Sequence, residues 1–304
     1  PLFTGDASSG ESEIRRWILE KDLLETIIAL PDQLFYNTGI NTYLWFLTNR
    51  KSEDRKGKVQ LIDGRKYFQK MRKSLGSKRH EIGEDDKQKI LELYQEFKES
   101  TKSKIFDITE FGYRQITIER PLRLNFQASP ERIEILKTSP AFLKLSPKVQ
   151  DELIKSLSDF PNKKLFLDRE EFLGVFNPHI RSLKLGGPVR KAVLEALSEQ
   201  DDKANICKDS EGNIESDAKL RDTENVPLGT DIHEYFEKEV KPYVPDAWIN
   251  ETVRDHKDNQ VGKVGYEIPF TRYFYKYTPP RSLEEIETDI EKTENELLEL
   301  LKQL

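Results

Sequence analysis

Apolar positions along the chain follow three rhythms. The first is helical. Residues 10–22 (GESEIRRWILEKD) have serines for caps at Ser9 or Ser12 and acids in the first turn. Ile14, Trp17 and Ile18 share one face, which predicts a helix. Residues 84–100 predict a second, with Ile90, Leu93, Tyr94 and Phe97 at i, i+3, i+4 and i+7.

The second rhythm is a set of short apolar runs without alternation. Glu25–Leu30 ends at Pro31, Tyr43–Leu47 is aromatic, and Lys58–Asp63 follows a charged turn. Runs of this length suit strands buried in a sheet. Helix, strand, long loop, strand and strand read as the end of an α/β sheet, because a doubly wound sheet needs further βα units. Ile105–Ile108 and Gln115–Ile118, around Phe111-Gly112, predict a hairpin. From 130 to 199, short helical segments alternate with prolines at 140, 147, 161, 178 and 188. Residues 200–230 are polar and turn-rich. An aromatic cluster follows: Tyr266, Phe270, Tyr273, Phe274, Tyr275 and Tyr277.

The third rhythm closes the chain. Leu283, Ile286, Ile290, Thr293, Leu297, Leu300 and Leu304 recur at spacings of three and four, the a/d seam of a coiled coil. From Glu284 to Lys302 there are eight acids and two lysines. A narrow seam with acidic flanks predicts a basic partner helix.

Composition changes this picture little; charge changes it a great deal. Sixteen Phe, eleven Tyr and three Trp exclude a disordered chain. No apolar run reaches the ~18 residues of a membrane span, and the single cysteine, Cys207, excludes an internal disulfide framework and fits a reducing cytoplasm. Cys207 reads as an ordinary surface thiol. The formal net charge is −6. Asn49–Arg79 nevertheless holds twelve basic residues against Glu53, Asp54 and Asp63, which leaves +9 on this tract and −15 on the rest. Arg65, Lys66, Lys70, Arg72, Lys73, Lys78 and Arg79 come without an acid among them and with Tyr67 and Phe68 interleaved. Lysine and arginine on phosphates dominate nucleic-acid affinity, so this tract is a candidate DNA-backbone contact.

Other chemistry is thin. The four histidines (80, 179, 233 and 256) lie far apart, and His233-Glu234 lacks the second histidine of a zinc pair. Cys207–Ala218 lacks the first and last ligands of a calcium loop. No metal site is expected. The loop Leu30–Thr42 joins two strands and offers Phe35, Tyr36, Asn37, Thr38 and Gly39 together. Aromatic faces beside polar groups suit a base taken out of the DNA stack.

Three stretches carry a family resemblance. The run GDASSGESEIRRWILEKDLLETIIALPDQLFYNTGINTYLWFLTNRK, then Leu220–Leu228, then Gly265–Phe274 resemble the modification subunit of type I restriction–modification systems, an N6-adenine DNA methyltransferase. The resemblance implies a chain holding only the C-terminal portion of such a subunit. The family's Gly-rich donor loop and Asn-Pro-Pro-aromatic motif are absent, and the nearest string, Asn177-Pro178-His179, lacks the second proline and the aromatic.

The expected fold is therefore the last strands of a Rossmann-like methyltransferase sheet over residues 1–64, a mainly helical α+β region over 65–280, and a coiled-coil-like helix over 281–304. The resemblance implies methyl transfer from S-adenosylmethionine to adenine N6 in the full-length subunit. No cofactor-binding or catalytic residue is expected in this portion, which would be inactive alone. Phe35 would stand near the flipped base, with Tyr36 as the alternative, and Asn37, Thr38 and Gly39 would shape that wall. Leu283, Ile286, Ile290, Leu297, Leu300 and Leu304 would dock on the specificity subunit. Implied partners are double-stranded DNA, the specificity subunit, a second modification subunit and a restriction subunit, in the cytoplasm and away from membranes. Two rival readings are a non-catalytic DNA-binding and subunit-assembly module, and a coiled-coil adaptor whose basic tract meets an acidic protein.

Overall fold

The computed structural model describes residues 3–160, 164–277 and 279–302. It divides the chain into two units. The first takes residues up to 5, 14–111 and from 267 onward; the second takes 6–13 and 112–266.

In the first unit, α1 (Gly10–Glu20) runs in from the boundary and β1 (Leu24–Ala29) follows. The Ser9 hydroxyl caps α1 by accepting from the Ser12 amide. Of the expected apolar face only Ile18 is buried, whereas Ile14 and Trp17 are more than half exposed. The interior takes Arg15 and Leu19 instead. A buried arginine is tolerated because its guanidinium donates to the carbonyls of Thr4 and Gly5.

The main sheet has the order β2-β1-β3-β6, with β2 at Tyr43–Leu47, β3 at Lys58–Asp63 and β6 at Ser103–Asp107. β1 is parallel to β3 and antiparallel to β2. β1 and β3 are buried, as expected for apolar runs without alternation. β2 is not. It forms the edge, and Leu44, Phe46 and Leu47 are exposed. Its Tyr43 packs on distant aromatics: the ring lies 4.6 Å from Phe3 and 5.3 Å from Phe270.

Between β3 and β6 come a β-hairpin, β4 (Gln69–Leu75) with β5 (Lys78–Glu81), and α2 (Glu84–Glu96). Ile90, Leu93 and Tyr94 of α2 pack over Ile28, Leu30 and Ile62, the face that the spacing predicted. The helix stops at Phe97, which has φ +45°. Its ring and that of Tyr94 sandwich the Arg55 guanidinium at 4.3 and 4.6 Å.

The hairpin expected around Phe111-Gly112 does not form. β6 pairs antiparallel with β3, and a 3-10 turn over Ile108–Phe111 redirects the chain. The strand that follows, β7 (Gly112–Glu119), is the centre of the second unit's sheet. The hairpin expectation weighed local spacing, but pairing followed the buried apolar register of β3.

In the second unit β8 (Leu124–Phe126) leads to α3 (Pro130–Lys137), α4 (Pro140–Leu143), α5 (Pro147–Asp159), α6 (Arg169–Ile180) and α7 (Gly187–Leu197). Pro130, Pro140, Pro147 and Pro188 stand in first turns, where a missing N–H costs nothing. Phe126, Phe160, Phe166, Phe172 and Phe176 form the core between the helices. β9 (Ser198–Gln200) pairs with β8. β10 (Asp222–Pro227) then pairs with β7, a strand that the polar composition of 200–230 concealed. α8 (Ile232–Tyr235), β11 (Trp248–Ile249) and β12 (Lys263–Tyr266) complete the unit. Cys207 is not a surface thiol: it is 1% exposed, and burial pushes its pKa up against the pull of Arg169.

The chain returns to the first unit through α9 (Phe270–Tyr273) and ends in α10 (Leu283–Leu301). None of the described residues of α10 is buried. Among the described residues, no helix is long and apolar enough to cross a membrane.

Candidate nucleic-acid interface

The basic tract and the aromatic loop, separate anomalies in the sequence, come together in the first unit. The loop is pinned at its mouth, where the Leu30 amide donates to the Thr42 carbonyl at 2.8 Å. Leu34 reaches back to the core beneath α2. Beyond it a tight turn pairs Phe35 with Thr38 as a lone antiparallel bridge. Phe35 is 45% exposed and Tyr36 64%, so neither ring is taken up by the core. Asn37 and Gly39 are exposed and Thr38 is half-buried. The Thr38 hydroxyl accepts from the Ile40 amide at 3.3 Å.

The β4–β5 hairpin clasps this loop along its own backbone. The Ser77 amide donates to the Tyr36 carbonyl at 2.9 Å, and the Arg79 and His80 amides share the Gln33 carbonyl at 2.9 and 3.2 Å. His80 Nδ1 stands 3.0 Å from both the carbonyl and the Oδ1 of Asp32. Both are acceptors, so Nδ1 carries the proton. The His80 ring also packs against Phe68, with centroids 3.9 Å apart and planes tilted by 36°. At the hairpin tip Gly76 takes φ +62°, and a Cβ there would lie 2.6 Å from the Tyr36 carbonyl oxygen. The Lys78 ammonium stands 5.5 Å from the Tyr36 ring centroid, within cation–π range.

Side chains then sort the basic tract. Lys66, Lys70, Arg72, Lys73 and Arg79 are exposed, and Lys78 is half-buried against Tyr36. Arg65 is committed inward: its Nε lies 2.7 Å from Asp63 Oδ1, and Lys102 reaches Asp63 Oδ2 at 3.1 Å. Burial alone would push the Asp63 carboxyl up, but hydrogen bonds from Arg65 and Lys102 hold it below its ordinary value. Lys51 and Arg55 are also structural, paired with Asp22 and with Glu25. The usable charge is thus concentrated on the hairpin, a two-stranded basic ribbon beside two exposed aromatic rings.

Asp32, Gln33 and His80, the residues of the clasp, were not singled out in the sequence. No local pattern links positions about fifty residues apart. The seam positions Leu283, Ile290, Leu297 and Leu300 are exposed and Ile286 is half-buried; Leu304 lies outside the described residues. Among the described residues, no three His, Cys, Asp or Glu side chains gather to hold a metal ion. Asn177-Pro178-His179 lies inside α6, where Asn177 Oδ1 accepts from Arg190 at 2.7 Å.

Known proteins are similar to this part of the chain. The N-6 DNA Methylase family matches residues 2–121, which hold the loop, the hairpin and the whole main sheet. The type I restriction enzyme MjaVII methylase subunit of Methanocaldococcus jannaschii is 31% identical over 157 residues, half of this chain. The HindI methylase subunit of Haemophilus influenzae is 48% identical over 67 residues, 21% of this chain. The chain is similar to type I restriction enzyme methylase subunits over these stretches. It spans about a quarter of the length of the MjaVII subunit and 15% of the HindI subunit. A crystal structure of a type I restriction–modification methyltransferase subunit from Streptococcus thermophilus covers 36% of the chain, and the chain covers 21% of it, at 26% identity and a TM-score of 0.31.

Proposed function

We propose that this chain is the DNA-facing and subunit-docking part of a type I modification methyltransferase that transfers a methyl group from S-adenosylmethionine to adenine N6. One observation carries the reading: the exposed rings of Phe35 and Tyr36 and the predominantly basic hairpin form one surface within the segment related to N-6 methylases.

In this reading the main sheet is the end of a Rossmann-like methyltransferase sheet. Lys70, Arg72, Lys73 and Arg79 neutralise DNA phosphates, with Lys66 and Lys78 flanking them. Phe35, or Tyr36 beside it, meets the extruded adenine, and base–aromatic stacking is worth about 1–3 kcal/mol. Asn37, Thr38 and Gly39 shape that wall of the pocket. Fixed on both sides, the loop holds its rings in place before the base arrives, which lowers the ordering cost of capture.

The sequence carries neither the Gly-rich donor loop nor the Asn-Pro-Pro-aromatic motif of the family. Asn177 lies within a helix with its amide oxygen engaged by Arg190, so it is not an amide clamp for adenine. The donor supplies the methyl group, and this chain alone does not methylate DNA. α10 pairs through Leu283, Ile286, Ile290, Leu297, Leu300 and Leu304 with a helix of the specificity subunit, in a complex with a second modification subunit and a restriction subunit.

Binding of a labelled duplex across a salt series tests the reading. Replacing Lys70, Arg72, Lys73 and Arg79 with alanine should make the plot of log affinity against log salt shallower by roughly 3–4, since each phosphate contact contributes about 0.9. An unchanged slope in a folded variant would remove DNA from the hairpin.

A further inference from the structure

A second acid-free basic stretch lies in the second unit, outside the segment that matches N-6 methylases. Between Glu171 and Glu195 the chain carries Arg181, Lys184, Arg190 and Lys191 and no acid. The fold gathers three of them. α6 ends at Ile180, a 3-10 turn covers Arg181–Leu183, and Lys184 turns the chain with φ +45° into α7. Ile180, Val189 and Val193 are buried and anchor the two helices. Between the helices lies a cavity of about 370 Å³, lined among others by Asn177, Ile180, Arg181, Lys184, Leu185 and Arg190.

The three cations are exposed. Among the described residues no carboxylate pairs with any of them, and no acid lines the cavity. Arg190 is aimed rather than loose: one Nη donates to Asn177 Oδ1 at 2.7 Å, which orients the guanidinium and leaves its other N–H groups open. Three like charges around one concavity repel one another, an arrangement that an anion relieves. Guanidinium groups fork onto phosphate oxygens, and an ammonium adds a point charge. The apolar side chains of Ile180 and Leu185 suit the sugar beside that phosphate.

We infer that this α6–α7 cavity is a second phosphate-binding site, and that its ligand is the sugar–phosphate backbone of nucleic acid. The choice of nucleic acid over an acidic protein rests on the reading of the hairpin as a DNA contact. The site itself stands on its own residues.

The test measures duplex binding by the full chain between 50 and 300 mM salt (roughly the range where counterion release dominates). Three variants are compared with wild type. One replaces Arg181, Lys184 and Arg190 with alanine. One carries Arg181→Glu and Lys184→Glu, keeping the Arg190–Asn177 bond should the first fail to fold. The third is the hairpin variant described above. The cavity variants should show a slope shallower by roughly 2–3 and affinity at least about 50-fold weaker at 0.1 M salt. Arg181→Lys with Lys184→Arg should retain binding.

Unchanged slope and affinity in both cavity variants, alongside loss in the hairpin variant, would overturn the inference and leave the DNA reading standing. Loss in the cavity variants with an unaffected hairpin variant would do the reverse. Polyglutamate that competes with duplex as well as an equally charged oligonucleotide does, and loses this ability in the cavity variants, would mark a general anion site. That result would overturn the nucleic-acid assignment.

Discussion

A basic side chain counts toward a surface only if no carboxylate has claimed it. Lys51, Arg55 and Arg65 add to the charge of the tract yet face Asp22, Glu25 and Asp63. Two of these acids are some thirty residues away, so counting charges along the sequence could not exclude their partners. Asp63 gives the case a measurable form. Its carboxyl is held below its ordinary value despite burial, by hydrogen bonds from Arg65 and Lys102. A depressed folded pKa contributes stability above the unfolded value, near 3.9, and that contribution is lost as pH falls through the folded value. Asp63→Asn should therefore cost on the order of 1–3 kcal/mol at neutral pH. In urea unfolding, the gap from wild type should close as pH drops below about 4. A gap that stayed constant down to pH 2 would mean that the ion pairs do not stabilise the fold.

Elements with a strong internal period were legible. α1, α2 and α10 appear where spacing put them, and β1, β2 and β3 match the apolar runs. Misreadings occurred where pairing over long distance decided the outcome. β6 joined β3 instead of its neighbour in sequence, and β2 became an exposed edge. The loop and the charged tract were each visible, but their union depends on backbone bonds from Ser77, Arg79 and His80 to Tyr36 and Gln33. Gly76→Ala probes that union. The new methyl group meets the Tyr36 carbonyl at a left-handed φ, a double penalty of at least about 1 kcal/mol. Exchange of the Ser77 and Arg79 amides should quicken about tenfold, while the core amides of β1 and β3 keep their protection. Unchanged exchange at Ser77 and Arg79 would show that the hairpin does not hold the loop.

At the scale of the whole chain, α10 is the part with least stake in its own unit. None of its described residues is buried, and its flank is acidic. Deleting residues 281–304 should remove helical signal but leave the melting temperature within about 2 °C, since little apolar area is uncovered. The shortened chain should no longer co-elute with a basic specificity-type helix. A melting temperature several degrees lower would instead mean that α10 packs on its own unit. The sequence showed this helix because its heptads are regular. It could not show that the chain leaves the first unit after Phe111 and re-enters it at Glu267.

The hairpin also has a consequence for the free molecule. From Arg65 to Arg79 there are seven cations and no acid, most of them on a ribbon open to water. Such a ribbon strains against itself by like-charge repulsion, which added electrolyte relieves. Under the proposed function, salt then acts with opposite signs on the two states: it would loosen the hold on DNA while firming the unliganded hairpin. The ionic strength that best preserves the empty hairpin would then be the one at which the proposed grip on DNA is weakest.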